Sequence, residues 1–293
     1  MKRSLFVSIV LLAIALNAPS QTTPYGSNAK AGSYLEANDI RIYYETYGKG
    51  QPLLLLHGNG GSIESFAAQI PVLAKHFKVI AIDSRAQGRT SDSDKEITYA
   101  LMASDVAALI ERLNLDSVFV VGWSDGGIIG LELALAYPQH VKKLVAIGAN
   151  FSHENFMSDT ARTAVMKSDD PLIMKTREAI QSYSTARKRL SPNPEHLAEA
   201  GRKLENLIAN YPNLTTEQLK KINAPTLVVA GDHDIIREEH TVQLYKALPH
   251  AQLLIIPGSS HLAVWERPEF VNDEMIRFFE TPYRDIDRYY FFR

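Results

Sequence analysis

The sequence contains no cysteine in 293 residues. That absence excludes disulfides, a thiolate nucleophile and thiolate metal ligands together. Neither sign of charge is in excess: the formal net charge is −2, so nothing in the balance points to nucleic acid or another polyanion. The nine histidines never stand four residues apart, as a helical zinc motif requires. No Gly-Lys-Ser/Thr phosphate loop is present, and there are no internal repeats. What is abundant is apolar residues, 45% of the chain. That is enough for one full-sized core with room for an inserted subdomain.

Residues 1–20 read as a signal peptide rather than as part of the fold. Met1-Lys2-Arg3 is a basic start, and Leu5 to Leu16 is an apolar run too short for a comfortable membrane span. Ala18-Pro19-Ser20 supplies small residues for cleavage before Gln21, and with no cysteine near the cut a lipoprotein anchor is not available. The expectation is an exported protein, periplasmic or secreted, with no stable membrane association after cleavage. Residues 21–32 are polar and glycine-bearing and read as a mobile leader.

Beyond that point, apolar runs bounded by turn residues alternate with helical spacing. Tyr34 to Tyr47 reads as two strands about an Asn38-Asp39 turn, with Ile40, Ile42 and Tyr44 alternating. Leu53–Leu56, Val79–Ile82, Val118–Val121, Leu144–Ile147, Thr226–Ala230 and Gln252–Ile256 are short, almost uniformly apolar runs, which suit strands buried on both faces. Helical patterns are expected over 66–77, 99–113, 238–248 and 268–279. The alternation predicts an α/β fold, a doubly wound, mostly parallel sheet with an antiparallel leading hairpin. Residues 151–221 interrupt it: they are more polar and carry Pro171, Pro192, Pro194 and Pro212. They read as a helical cap, with a helix beginning at Asn193-Pro194. The core is then 33–150 together with 222–293. The tail from Tyr283, rich in aromatics and charge, is expected to pack on the core.

The chemistry is concentrated at Gly122-Trp123-Ser124-Asp125-Gly126, which follows a strand and opens a helix and matches the G-x-S-x-G nucleophile elbow. A serine hydroxyl needs a base to take its proton and a third group to orient that base. His261 directly follows the last strand, and Asp232 and Asp234 follow the one before it. From the residues alone either aspartate can serve. An oxyanion needs two backbone N–H groups: Asp125 is the first candidate, and Asn59, in the turn His57-Gly58-Asn59-Gly60-Gly61, is the second. The same glycines, with Asp83 at the next strand end, loosely fit a dinucleotide fingerprint. The third glycine is missing, however, since Ile63 stands there.

The motifs Leu56-His57-Gly58-Asn59, Asp83-Ser84-Arg85, Gly122 to Gly127, Gly231-Asp232-His233-Asp234 and Gly258-Ser259-Ser260-His261 resemble those of the α/β-hydrolase family over about residues 33–281. The resemblance implies a serine hydrolase with Ser124 as nucleophile, His261 as general base and then acid, and no cofactor or metal. It favours Asp234 as the acid, because the family places it three residues after the strand-ending glycine. Ala86 departs from the pattern, which has glycine in that turn. Serine at 124 argues against a haloalkane dehalogenase. Gly-Trp-Ser-Asp-Gly-Gly looks most like the valacyclovir hydrolase (biphenyl hydrolase-like) branch, where the acid after the nucleophile recognises the amino group of α-amino acid esters. That makes Asp125, with Trp123 beside it, the expected substrate contact. The expected substrate is a small carboxylic ester. A lactonase, C–C bond hydrolase or cofactor-free perhydrolase would use the same residues, and an exported small-molecule binding protein is the reading from another class.

Overall fold

The computed structural model describes residues 23–155 and 185–284, together with residues 174, 178 and 181. The signal-peptide expectation, most of the cap's first half and residues 285–293 of the tail lie outside these residues. Eight strands form one sheet: β1 (Gly32–Ala37), β2 (Ile40–Tyr47), β3 (Pro52–Leu56), β4 (Lys78–Ile82), β5 (Val118–Trp123), β6 (Val141–Ile147), β7 (Thr226–His233) and β8 (Ala251–Ser260). Their spatial order is β1-β2-β4-β3-β5-β6-β7-β8. β2 pairs antiparallel with β1 and β4, and every other pair is parallel. The chain leaves β3 for β4 on one side and returns to β5 on the other. Sites form at such reversals, beyond the carboxyl ends of the strands.

The main helices are α1 (Tyr99–Arg112), α2 (Asp125–Ala136), α3 (Leu197–Asn210), α4 (Glu238–Ala247) and α5 (Pro268–Glu280). Strand alternation divides the core. Leu54, Leu56 and Val120 face α1 and α2, while Leu53, Leu55, Phe119, Val121 and Trp123 face the layer that holds Met275, Phe278 and Phe279 of α5. Buried apolar side chains on both faces explain why the strands read as continuous apolar runs.

Four expectations change. Residues 66–77 do not form one helix: a 3₁₀ turn (Ile63–Phe66) precedes a four-residue helix (Ile70–Leu73) with Pro71 in its first turn, where a proline's missing N–H does no harm. In the cap, Asn193-Pro194 opens a 3₁₀ turn, Pro194–His196, and the helix proper starts at Leu197. The last two strands run on past Ala230 and Ile256, to His233 and Ser260. Finally, the described part of the expected leader is bonded rather than loose. The Gly26 and Asn28 N–H groups donate to the two oxygens of Glu45, a fully buried carboxylate, at 2.9 and 2.8 Å, and Gly32 opens β1.

Within the described part of the cap, α3 buries Ala200, Leu204 and Leu207. Lys203 lies on the same side, with its ammonium donating to Asp92 (3.0 Å) and to the Ser93 carbonyl (2.5 Å). This nearly buried pair ties the helix to the segment that follows β4.

Candidate active site

β5 ends at Trp123, and α2 begins at Asp125. Between them Ser124 has φ 56° and ψ −121°, a backbone that L side chains rarely adopt and that costs on the order of 1–3 kcal/mol. The surroundings enforce it. The Ser124 N–H donates to the Ile147 carbonyl at 2.8 Å, and its own carbonyl accepts from Gly127 at 2.8 Å. A Cβ at Gly126 would stand 1.9 Å from the Leu56 carbonyl oxygen, and one at Gly122 would stand 2.1 Å from that of Gly126. Only glycine permits so close a crossing of strand and helix. The turn carries the serine side chain out beyond the sheet, at the positive end of α2.

β7 and β8 bring the partners. His233 pairs with Ser260 at the last rung of their parallel register, so Asp234 and His261, one residue further on each strand, emerge side by side. His261 Nδ1 lies 2.7 Å from Asp234 Oδ1, and its Nε2 lies 2.9 Å from Ser124 Oγ. With Nδ1–H donating to the carboxylate, Nε2 is the nitrogen free to accept the serine proton. Burial disfavours the charged imidazole. The Asp234 carboxylate, its hydrogen bond and the more distant charges of Asp125 and Glu266 outweigh that, so the histidine pKa lies above its ordinary value. Asp232 is engaged elsewhere. It accepts from the backbone of Gly258 and Ser259 and from His233, and these bonds lower its pKa to about 2.

The turn after β3 passes directly over the serine: a Cβ on Gly58 would lie 3.1 Å from that of Ser124. Asn59 and Asp125 line the same cavity as Ser124, a space of about 70 Å³ among the described residues, closed on the cap side by Ile208 and Tyr211. The base of the turn is held by His57, whose Nδ1–H donates to the Gly58 carbonyl (2.8 Å) while Nε2 accepts the Ser84 N–H (3.0 Å). Asp83, the acid that a dinucleotide site would present to its ribose, is fully buried. It accepts from the Ile63 and Arg89 N–H groups at 2.8 Å each. Burial pushes its pKa up to about 7 against those two bonds.

Asp125 is 5% exposed. Asn59 Nδ2 donates to its Oδ2 at 2.8 Å, and the Tyr99 hydroxyl donates to its Oδ1 at 2.9 Å. Burial raises the carboxyl pKa, and these two bonds and the neighbouring His261 oppose that rise. Trp123 departs from its expected place as a substrate contact. Strand alternation turns its ring away from the cavity and into the core, 2% exposed and edge-on to Trp265 at 5.0 Å. From there its Nε1 donates to the His261 carbonyl at 2.8 Å, so it steadies the histidine from below.

Two further groups carry no sequence signal. Tyr99 looks like any apolar residue opening a helix. Glu266, five residues past His261, accepts from Ser259 Oγ (2.8 Å), Ser260 N–H (2.8 Å) and Ser260 Oγ (2.7 Å), which holds the segment that presents the histidine.

An eight-stranded, mostly parallel sheet with a strained serine between β5 and α2 defines the α/β-hydrolase fold, and the comparisons with known proteins agree. The family model for the alpha/beta hydrolase fold matches residues 51–188. The chain has the fold of this family, and the relatives it matches are hydrolases of that fold. It is similar to the putative carbamate hydrolase RutD of Azorhizobium caulinodans, 26% identical over 84% of this chain and 97% of the relative. It is also similar to the 2-hydroxy-6-oxo-6-(2'-aminophenyl)hexa-2,4-dienoic acid hydrolase of Metapseudomonas resinovorans, 27% identical over 87% of this chain and 92% of the relative. Among solved structures it is similar to Est816, described as an N-acyl homoserine lactone degrading enzyme. The TM-score is 0.69 and the identity 26%, over 84% of this chain and all of that one.

Proposed function

We propose that the protein is a serine hydrolase that cleaves a carboxylic ester through an acyl-enzyme. The observation that carries the reading is the unbroken chain Asp234 Oδ1–His261–Ser124 Oγ, at 2.7 and 2.9 Å, ending on a nucleophile in a strained turn. In the reaction, Ser124 Oγ attacks the carbonyl carbon as its proton passes to His261 Nε2. The Asn59 and Asp125 N–H groups take the charge that forms on the carbonyl oxygen. Collapse breaks the ester bond, and His261 returns its proton to the leaving alkoxide. Water, deprotonated by the same nitrogen, then releases the acid. Asp234 holds the imidazole in the required tautomer and stabilises the imidazolium.

A preference for α-amino acid esters is the finer form of the proposal. Asp125 lines the cavity, and its hydrogen-bond donors among the described residues are neutral. A substrate ammonium would therefore supply the charge that this buried carboxylate lacks. Without one, a carboxylate at ~7 Å opposes the forming oxyanion by roughly 2 kcal/mol at an effective dielectric near 20.

The test is a panel of p-nitrophenyl, aminoacyl and lactone esters with Ser124→Ala as control, alongside fluorophosphonate labelling. Turnover and labelling lost together in Ser124→Ala support the proposal. Failure of the wild type to be labelled at all sinks it and leaves a binding protein. Preferred turnover of a lactone would move the substrate class toward that named for Est816. Export after removal of residues 1–20 is part of the same proposal, and the intact mass of the protein from an exporting host tests it.

A further inference from the structure

The proposed oxyanion donors sit on two different elements, the turn after β3 and the first residue of α2; the turn's own bond, from the Gly61 N–H to the Gly58 carbonyl at 3.0 Å, closes the loop around Asn59 but does not tie it to α2. Stabilisation of an oxyanion requires both N–H groups to be about 2.7–3.1 Å from where the oxygen will be, before it arrives. Something must set the gap between Asn59 and Asp125. His57 holds only the base of the turn, at Gly58. Gln87 accepts the N–H of Gly60, beyond Asn59. Asn59 itself is held across the gap: its side-chain amide donates to the Asp125 carboxylate, and the other carboxylate oxygen accepts from Tyr99 on α1. Thr98 caps that helix one residue earlier, accepting the Leu101 N–H. Both bonds end on a carboxylate buried at the active site, and bonds to a charged acceptor are the stronger kind.

We infer that the Asn59–Asp125–Tyr99 chain is the device that sets the spacing of the oxyanion donors, and that Tyr99 and the Asn59 amide are positioning residues for catalysis. The inference rests on the ester-hydrolase proposal. In it the Asp125 carboxylate acts on every ester through Asn59, whatever charge the substrate carries.

The experiment compares Tyr99→Phe and Asn59→Ala with wild type on matched aminoacyl and uncharged acyl p-nitrophenyl esters, with thermal unfolding measured in parallel. Tyr99→Phe removes one hydroxyl and keeps the ring. Asn59→Ala keeps the backbone N–H and removes only its tether. A misplaced donor costs transition-state rather than ground-state binding. So kcat should fall about 10-fold in Tyr99→Phe and about 10- to 100-fold in Asn59→Ala, equally on both esters, with KM within about twofold. Affinity for a trifluoromethyl ketone, which forms the tetrahedral oxyanion, should fall by the same factor as kcat/KM. Asn59→Asp alone, which sets two carboxylates against each other, should lose rate on the uncharged ester, and the exchange Asn59→Asp with Asp125→Asn, which restores an amide-to-carboxylate bond, should recover part of it. Three outcomes overturn the inference: a lower melting temperature with kcat unchanged, a loss confined to aminoacyl esters through KM, or no recovery in the exchange. A wild-type protein inactive on all esters would instead sink the hydrolase proposal itself.

Discussion

His57 holds the base of the turn that passes over Ser124, His261 is bonded to that serine, and their pKa values are shifted in opposite directions. Among the described residues the His57 ring bonds neutral groups, the Gly58 carbonyl and the Ser84 N–H, and burial lowers its pKa to about 4. His261 is buried too, yet the Asp234 carboxylate on its Nδ1 holds its pKa above the ordinary value. The difference shows that burial alone makes a histidine a neutral strut. Burial beside a carboxylate makes it a group that can hold a proton in the middle of a reaction.

The comparison breaks most forcefully at Asp234. Asp234→Asn removes the charge that separates the two histidines and frees the tautomer, so kcat should fall by about four orders of magnitude. Asp232→Asn, which disturbs a turn, should cost far less. Steady-state rates of both variants decide, and a larger loss at 232 would reverse the roles.

His57→Ala tests the other side. It leaves the Ser84 N–H without a partner in a buried site, leaves the Gly58 carbonyl with only the Gly61 N–H, and opens a cavity, a loss of about 2–4 kcal/mol of stability by urea melts. The sign of its pH dependence follows from its lowered pKa. Between about 4 and 6.5 the unfolded chain binds more protons than the folded one at this residue. The stability His57 confers is therefore complete above that window and lost as pH falls through it, on the order of 3 kcal/mol in all. Melts of the variant should be flatter than those of wild type over the same window, and parallel curves would show that His57 is not buried neutral.

A smaller effect sharpens the contrast in activity. His261 must be neutral to act as a base, so kcat/KM should decline toward low pH through a pKa above the ordinary histidine value. In Asp234→Asn the residual activity should decline at lower pH. An unmoved limb would mean that another group sets it.

The smallest change lies in the turn after β4, whose Ser84 N–H donates to His57. Ala86, where the family has glycine, sits at φ 62°. A left-handed alanine costs about 1–2 kcal/mol, and a glycine returns about 0.5–1 kcal/mol of that as chain entropy. Ala86→Gly should therefore stabilise by about 0.5 kcal/mol in urea melts, and destabilisation would show that the strain is relieved elsewhere.

Much of the molecule was legible because its determinants are local. The apolar runs of β3 to β6 mark strands covered on both faces. The glycines around Ser124 mark a crossing too tight for a Cβ, and the order serine, aspartate, histidine follows the order of the strands. The helix expected over 66–77 was misread because apolar spacing there belongs to a 3₁₀ turn and a single helical turn that contains Pro71. Trp123 was misread because its neighbour points into the site, while strand alternation sends its own ring to the opposite layer.

The strands of the sheet, the elbow, and the places of Ser124 and His261 just beyond strand ends were legible in the residues, since each depends on sterics or periodicity within a few residues. Tertiary structure alone decided the rest. The residues left Asp232 and Asp234 open, and the family resemblance favoured the second. The His233–Ser260 register is what sets Asp234 beside His261. The junction of Asn59, Asp125 and Tyr99 joins residues 66 and 26 positions apart. No spacing rule reaches that far, because such contacts exist only after three elements have packed.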